Sequence, residues 1–235
     1  MYNGKTFLAI IPARGGSKRL PNKNILPLAS KPMLLWTVES AMQSKYLDEI
    51  ILSTDSDGII KVVENYKIKT IKRPLELASD TAKTIDVVKH VIENIDKKYD
   101  FIVLLQPTSP LRMSKHIDES IERLISLNAY AIISVTEVDH SPLWCNILPE
   151  SLSMENFISE TIKDKRSQDL PKFYRLNGAI YICKTQKLIE ENTFFLKKNV
   201  YAYIMDKKSS IDIDEELDFK LAEIILKEKF LKRCN

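Results

Sequence analysis

Two periods alternate along the chain. Short, largely apolar runs at residues 7–11, 49–54, 68–71, 101–105, 131–135, 178–183 and 200–205 have the length and makeup of buried strands. Between them, apolar residues recur at helical spacing. Pro32 opens a helix marked by Leu34, Leu35, Val38, Ala41 and Met42, with Glu39 and Gln43 on its polar side. A second helix covers residues 58–66, with Asp55 and Asp57 as turn and cap residues. Ile85, Val88, Ile92 and Ile95 mark a third, for which Asp80 or Thr81 is the expected cap. Further helices are expected over residues 114–127, 184–191 and 214–230, the last with Leu217, Leu221, Ile224, Ile225 and Leu226 as its apolar face. Strands alternating with helices predict an α/β fold with a mostly parallel, doubly wound sheet covered on both faces.

The alternation fails between residues 137 and 175, where Pro142, Pro149 and Pro171 punctuate a polar stretch without clear period. A loop this long inside a domain is usually functional or carries its own structure. The expected division is an α/β domain from residues 1–136 and 176–235, with 137–175 as an excursion from the sheet. No internal repeat or low-complexity tract interrupts this order.

The loop after the first strand brings in chemistry. Residues 1–38 carry six Lys or Arg and no Asp or Glu. Arg14, Lys18, Arg19 and Lys23 crowd around Gly15 and Gly16, which lack a Cβ and let a ligand approach backbone N–H groups. An anion at the carboxyl end of a strand is the expected ligand. The chain has only five Gly, and it contains neither G-x-G-x-x-G nor G-x-x-x-x-G-K-[ST]. A dinucleotide fingerprint and a Walker A loop are therefore excluded. Ile211-Asp212-Ile213-Asp214 is the acidic counterpart: in an extended segment, Asp212 and Asp214 share one side while the isoleucines anchor the other. Two such carboxylates suit a Mg²⁺ that takes its remaining ligands from phosphate and water. For Glu215 and Glu216, unlike Asp212, capping and charge balance of the last helix is the expected role.

The whole-chain composition sets bounds. With 235 residues, 44% apolar and 29% charged, the chain is long enough for one sizeable core, and a net charge of +3 gives no support to a nucleic-acid or membrane partner. The basicity that matters is local. Cys145, Cys183 and Cys234 are odd in number and widely spaced, and with His90, His116 and His140 they form no zinc pattern. A reduced, cytoplasmic setting follows as the expectation, with neither an export signal nor a membrane span.

Residues 11–24, with Leu105-Gln106-Pro107-Thr108-Ser109-Pro110-Leu111-Arg112 and Asn177-Gly178-Ala179-Ile180-Tyr181, resemble the cytidylyltransferases that make CMP-sialic acid, CMP-legionaminic acid and related CMP-nonulosonates. The motifs occur in the same order over nearly the whole chain. The resemblance implies a Rossmann-like, nucleotide-diphospho-sugar transferase-like fold whose excursion pairs with a second subunit in a homodimer. It implies Mg²⁺-dependent transfer of CMP from CTP to the anomeric hydroxyl of a nine-carbon α-keto sugar acid, releasing pyrophosphate, for bacterial-type surface glycans. It carries CTP to Ala13, Arg14, Gly15, Gly16, Lys18, Lys23 and Asn24, and the cytosine to Arg73 and Thr84. Arg14, Lys23, Asp212 and Asp214 become the catalytic set, and the two aspartates the metal site. The sugar acid falls near Gln106, Tyr181, Phe194 and Phe195. Arg166, which the excursion is expected to bring to the sugar pocket of the second subunit, is the choice for its carboxylate, with Arg175 as rival because Ser167 stands where many relatives have a second Arg.

Other readings stay open at this point. Lys18 and Arg19 either guide pyrophosphate or are solvated loop charges. The eight-carbon CMP-3-deoxy-manno-octulosonate synthetases have a similar loop without the Arg14-Gly15-Gly16 form. A sugar nucleotidyltransferase using UTP or GTP is a further enzyme rival. A non-catalytic phosphate-binding module would have no need of Asp212 and Asp214.

Overall fold

In β1 (Phe7–Pro12) successive side chains point to opposite faces, and both faces are buried: Phe7, Ala9 and Ile11 enter one core, Leu8 and Ile10 the other. This double burial is why the strand reads as an unbroken apolar run. The computed structural model describes residues 1–231, and Cys234 lies outside them. After β1 come a small hairpin of β2 (Pro27–Leu28) and β3 (Lys31–Pro32), then α1 (Met33–Met42), β4 (Glu49–Thr54), α2 (Asp57–Val63) and β5 (Lys69–Lys72). The chain continues with α3 (Thr84–Glu93), β6 (Phe101–Leu104), α4 (Ser114–Ser126) and β7 (Ala131–Glu137). It closes with β8 (Tyr174–Lys184), α5 (Thr185–Glu191), β9 (Val200–Ile204) and α6 (Glu216–Leu231).

The main sheet has seven strands in the order β5-β4-β1-β6-β8-β7-β9. Its neighbours pair in parallel except on either side of β8, which runs against both β6 and β7. Leu34, Val38, Ile59, Val63, Ile117 and Ile121 bring α1, α2 and α4 onto one face; Val88, Val91 and Leu188 bring α3 and α5 onto the other. The mostly parallel, doubly wound sheet expected from the sequence is what forms. Fully burying one such side chain stabilises the fold by about 1.5–3 kcal/mol, so truncating Ile11, 0% exposed, costs about 2–5 kcal/mol. The chain steps from β1 outward to β4 and β5, then crosses back to β6 on β1's other side. Ligands of such sheets bind outside the strands' carboxyl ends at this reversal.

Several local expectations need correction. No side chain caps α3, whose N-cap is Lys83, and Asp80 is engaged elsewhere. Ser56, not Asp55 or Asp57, caps α2 by accepting from the Ile59 N–H at 3.4 Å. Leu217, Leu221 and Ile224 on α6 are exposed, and the helix packs through Ala222 and Leu226, with Phe219 and Ile225 partly covered. The helical period was real, but the packed face is rotated towards the β2–β3 hairpin, whose Leu28 lies in that cluster. Met42 is also exposed, and Glu39 is not a free surface acid: it accepts from Lys31 and from the Tyr66 hydroxyl. β8 starts four residues before the expected apolar run at residue 178, because Arg175 and Asn177 break its apolar pattern there; a register shift lies between Ile133 and Val135 opposite it. Residues 138–173 leave the sheet between β7 and β8, closed at the neck by Val138 N–H donating to Phe173 O at 3.0 Å. Within them the regular structure is two short 3-10 turns, Pro142–Trp144 and Ser167–Asp169. Among the described residues, no helix is long and apolar enough to cross a membrane.

Candidate active site

Four strand ends converge on one cleft. Ala13 N–H donates to Ser53 O at 2.9 Å, Arg73 N–H to Thr54 O at 2.8 Å and Leu105 N–H to Ile10 O at 3.0 Å. These bonds extend the ladder just past the strands and then release the chain as loops. The basic loop is folded down by its own backbone: Gly15 N–H donates to Asp55 Oδ1 at 3.0 Å, and Asn24 Nδ2 donates to Arg14 O at 2.9 Å. A Cβ on Gly15 would lie 2.9 Å from Ser56 Cβ, so the missing side chain makes room for the start of α2. Gly16, by contrast, has nothing within 4 Å of where its Cβ would sit.

The loop's cations are already paired. Arg14 Nη1 and Lys18 Nζ approach opposite oxygens of Asp80 at 2.8 and 2.6 Å, and they hold its carboxyl below the usual range, Lys18 more than Arg14. Lys23 donates its Nζ to Ile213 O and lies 3.4 Å from Asp214 Oδ1, while Arg19 reaches Asp214 Oδ2 at 3.2 Å. Neither Lys18 nor Arg19 is thus a lone solvated charge. A cavity of about 310 Å³ opens here, lined by Arg14, Lys23, Asn24, Arg73, Thr84 and Asp214 among others. Arg73 is 6% exposed; burial pushes its guanidinium down, Asp55 at 3.8 Å opposes this, and its Nε has no partner.

Across the cleft, Ile213 is 0% exposed and its N–H donates to Thr108 O at 2.8 Å, which fixes the acidic segment against the end of β6. Asp212 and Asp214 are close enough that the second raises the first, but they open differently: Asp214 lines the basic-loop cavity, Asp212 a neighbouring one of about 410 Å³ with Arg175. Burial pushes the Asp212 carboxyl up; Thr108 opposes that, Asp214 adds to it, and Oδ1 is sealed without a hydrogen-bond partner. Register explains the neighbour: Leu104 pairs with Tyr181, so Gly178 lies beyond the carboxyl end of β6. Gly178 has φ +71°, and a Cβ there would stand 3.4 Å from Asp212 Oδ2 and 3.6 Å from Gln106 Oε1.

Beneath this meeting point lies Arg112, 1% exposed, donating through Nη1 to Gln106 O at 3.1 Å and Ala179 O at 2.9 Å. Burial pushes its pKa down to about 9, and Nε and Nη2 have no partner. Asn177 Oδ1 accepts from Ser134 at 2.6 Å and its Nδ2 donates to Ser210 at 2.9 Å, tying β8 to β7 and to the segment before Asp212. Thr84 and Gln106 also border a further cavity of about 320 Å³, where Tyr181, Phe194, Phe195 and Lys83 stand. Phe194 is buried, Phe195 is exposed, and Tyr181 lies edge-on to Phe195 with centroids 6.0 Å apart.

The basic-loop cavity gathers Arg14, Lys23, Asn24, Arg73, Thr84, Gln106 and Asp214; Tyr181 and Asp212 border other cavities, and Ala13 is buried in the core just past β1. Within one protomer, Arg166 and Arg175 lie outside the basic-loop cavity. Arg166 is 74% exposed at its side chain, pairs with Asp169 at 2.9 Å and lines none of these cavities; Arg175 borders only the Asp212 side. Sequence reasoning assigned no site role to Asp55, Asp80, Arg112, Asn177 or Gly178. Arg112 and Gly178 lay inside quoted motifs, but nothing in their local pattern says that one is buried and the other needs a positive φ.

A family model described as cytidylyltransferase matches residues 8–229. The chain belongs to the cytidylyltransferase family. It is 34% identical over 230 residues to the CMP-N,N'-diacetyllegionaminic acid synthase of Legionella pneumophila, covering 94% of this chain and 96% of that one. It is 39% identical over 224 residues to the N-acylneuraminate cytidylyltransferase of Escherichia coli, covering 95% of this chain. The chain spans about half of that relative's length, 52%. A solved CMP:2-keto-3-deoxy-manno-octonic acid synthetase complexed with CTP shares the fold at a TM-score of 0.70, with 95% of this chain and 99% of that one covered. At 15% identity that likeness speaks for the fold alone.

Proposed function

We propose that the chain is a CMP-nonulosonate synthetase. The anomeric hydroxyl of a nine-carbon α-keto sugar acid attacks the α-phosphate of CTP; the new P–O bond forms as the bond to the β-phosphate oxygen breaks, and pyrophosphate leaves. The hydroxyl proton passes to solvent. The observation that carries this reading is the cleft at the strand ends, where Arg14, Lys23 and Asn24 face the unpartnered Arg73 donor on one side and the acidic segment on the other. The full-length likeness to the legionaminic acid synthase supports the nine-carbon acid over the eight-carbon one.

Arg14 and Lys23 bind and neutralise the triphosphate, and Arg73 with Thr84 meets the cytosine's acceptor edge. Alignment and charge neutralisation suffice for such a displacement, and no covalent nucleophile is required. Asp212 and Asp214 fit a Mg²⁺: one carboxylate oxygen is sealed without a partner, and magnesium accepts one or two carboxylates beside phosphate oxygens and water. When bound, the ion supplies charge neutralisation between the α-phosphate and the departing pyrophosphate. Gln106, Tyr181, Phe194 and Phe195 take the sugar acid.

The same reading includes a homodimer built by residues 138–173, whose Ile147, Leu152 and Met154 are 90%, 69% and 61% exposed, and a cytoplasmic setting consistent with the free thiols Cys145 and Cys183. The decisive test mixes the protein with Mg²⁺, each of CTP, UTP and GTP, and sialic, legionaminic, pseudaminic or octulosonic acid. Pyrophosphate with CTP and a nine-carbon acid, and a product with the mass of the CMP-sugar, is the expected result. Release with UTP or GTP instead, or only with the eight-carbon acid, refutes it.

A further inference from the structure

The strand order β5-β4-β1 puts the exit of β4 between two others, and each exit delivers a residue to the same end of the sheet. Ala13, Asp55 and Arg73 are each the first residue past their strand, and the bonds from Ala13 N–H to Ser53 O and from Arg73 N–H to Thr54 O tie the three exits together. Asp55, leaving from the middle, is placed to reach both neighbours. Its Oδ1 accepts from Gly15 N–H at 3.0 Å, and the same oxygen stands 3.8 Å from Arg73 Nη2. Arg14 and Arg73 line the basic-loop cavity, and Asp55 is not among the residues that do. It supports groups that face a ligand without facing one itself. The Arg73 side chain is buried, so its charge needs a counter-charge: burial pushes the guanidinium pKa down, Asp55 opposes this, and the like charge of Arg14 adds to it. The carboxylate thus favours the charged form of the arginine and gives its planar fork a fixed partner. A fixed fork is what base reading requires, because cytosine offers O2 and N3 as acceptors where uracil offers O2 beside an N3–H donor.

We propose that Asp55 is a positioning residue for nucleotide recognition: it holds Arg73 for the cytosine while bracing the phosphate loop through Gly15, and so ties base reading to triphosphate binding. The assignment rests on the proposed function, in which Arg73 meets the base. Its test is binding by titration calorimetry with Mg²⁺ and no sugar acid, so that nothing turns over. The probes are CTP and inorganic triphosphate, which carries no base. Asn at position 55 keeps an oxygen for the Gly15 N–H and removes the charge beside Arg73. Asp55→Asn should therefore weaken CTP about tenfold and leave triphosphate within about twofold of wild type, which also shows that the loop is still folded. Asp55→Ala, which removes the acceptor for the Gly15 N–H as well, should weaken both. In an Arg73→Met background, Asp55→Asn should change CTP binding by less than about twofold, because the group it acts through is gone. Equal weakening of CTP and triphosphate by Asp55→Asn, unchanged CTP binding, or an undiminished effect in the Arg73→Met background overturns the assignment and leaves the proposed function standing. A wild type that binds UTP as tightly as CTP, or an Arg73→Met variant that binds CTP as wild type does, overturns the base reading and this assignment with it.

Discussion

Replacing Asp212 by Asn separates a metal ligand from a structural residue, because the two roles predict opposite signs. In the structure this carboxylate is costly to keep. Burial disfavours its charge and the neighbouring Asp214 adds to that, while Thr108, Lys23 and Arg175 oppose it, and the net push on the carboxyl is upward; Oδ1 is buried without a hydrogen-bond partner. Asn keeps the size and removes the charge, while Ile213, 0% exposed, still anchors the segment through its N–H to Thr108 O. The variant should therefore gain stability on the order of 1 kcal/mol, or about 2–4 °C in melting temperature. The pH dependence follows from the direction of the shift. A carboxyl whose folded pKa is raised destabilises the native state above that pKa, and the penalty vanishes once pH falls below the unfolded value. The stability gap between variant and wild type should be widest near neutrality and close on acidification.

Activity should move the other way. Losing a group that fixes charge at the reacting phosphates costs about a hundredfold or more in kcat, about 2.7 kcal/mol. Pyrophosphate release titrated with Mg²⁺, with scanning fluorimetry on the same samples, gives both readings. Activity within twofold of wild type with an unchanged Mg²⁺ dependence would refute the metal role. A fall in melting temperature of several degrees would refute the claim that the carboxylate strains the fold.

Three further outcomes are expected. Arg14→Ala should lower kcat/KM for CTP by about ten- to a hundredfold through loss of a forked phosphate contact, with little change for the sugar acid; steady-state kinetics on each substrate checks this. Gly178→Ala, which forces a Cβ at φ +71° to within 3.4 Å of Asp212 Oδ2, should cost about 1–2 kcal/mol in urea unfolding and also lower kcat. Ile147→Asp together with Leu152→Asp should convert a dimer to a monomer in light scattering; a wild-type monomer with full activity would remove the interface from the account.

How much was legible follows from what each residue's neighbours are. β1, β4 and β6 were readable because burial on both faces writes itself as a local apolar run. The start of β8 was not, since Arg175 borders a cavity and Asn177 is a buried polar residue whose partners Ser134 and Ser210 are far away in sequence. The same limit applies to α6. Its period announces a helix, but which side is packed depends on Leu28 and Ile213, which arrive from elsewhere. Asp80 looked like a cap because Ser79-Asp80-Thr81 precedes a helix; its pairing with Arg14 and Lys18 spans more than sixty positions and leaves no local mark. Motif resemblance found the cleft because it carries long-range information that periodicity does not.

The pairing of the loop's cations bears on how the cleft works. Four cations, Arg14, Lys18, Arg19 and Lys23, share two carboxylates, Asp80 and Asp214, at the mouth of the cavity. The exposed pairs of Lys18 and Arg19 contribute about 0–1 kcal/mol each, while Lys23 is buried and also donates to Ile213 O, so the outer pairs hold the loop near its working shape without competing strongly with a ligand. A triphosphate carries more charge than either carboxylate and can take the cations over. Asp80 then returns to solvent at little cost, since it is already 42% exposed. Asp214 is freed beside Asp212, on the side of the cleft where a divalent cation would need it. On the proposed function, the acids at the mouth keep the empty loop ordered, and the incoming nucleotide would replace them and release Asp214, the proposed second metal ligand.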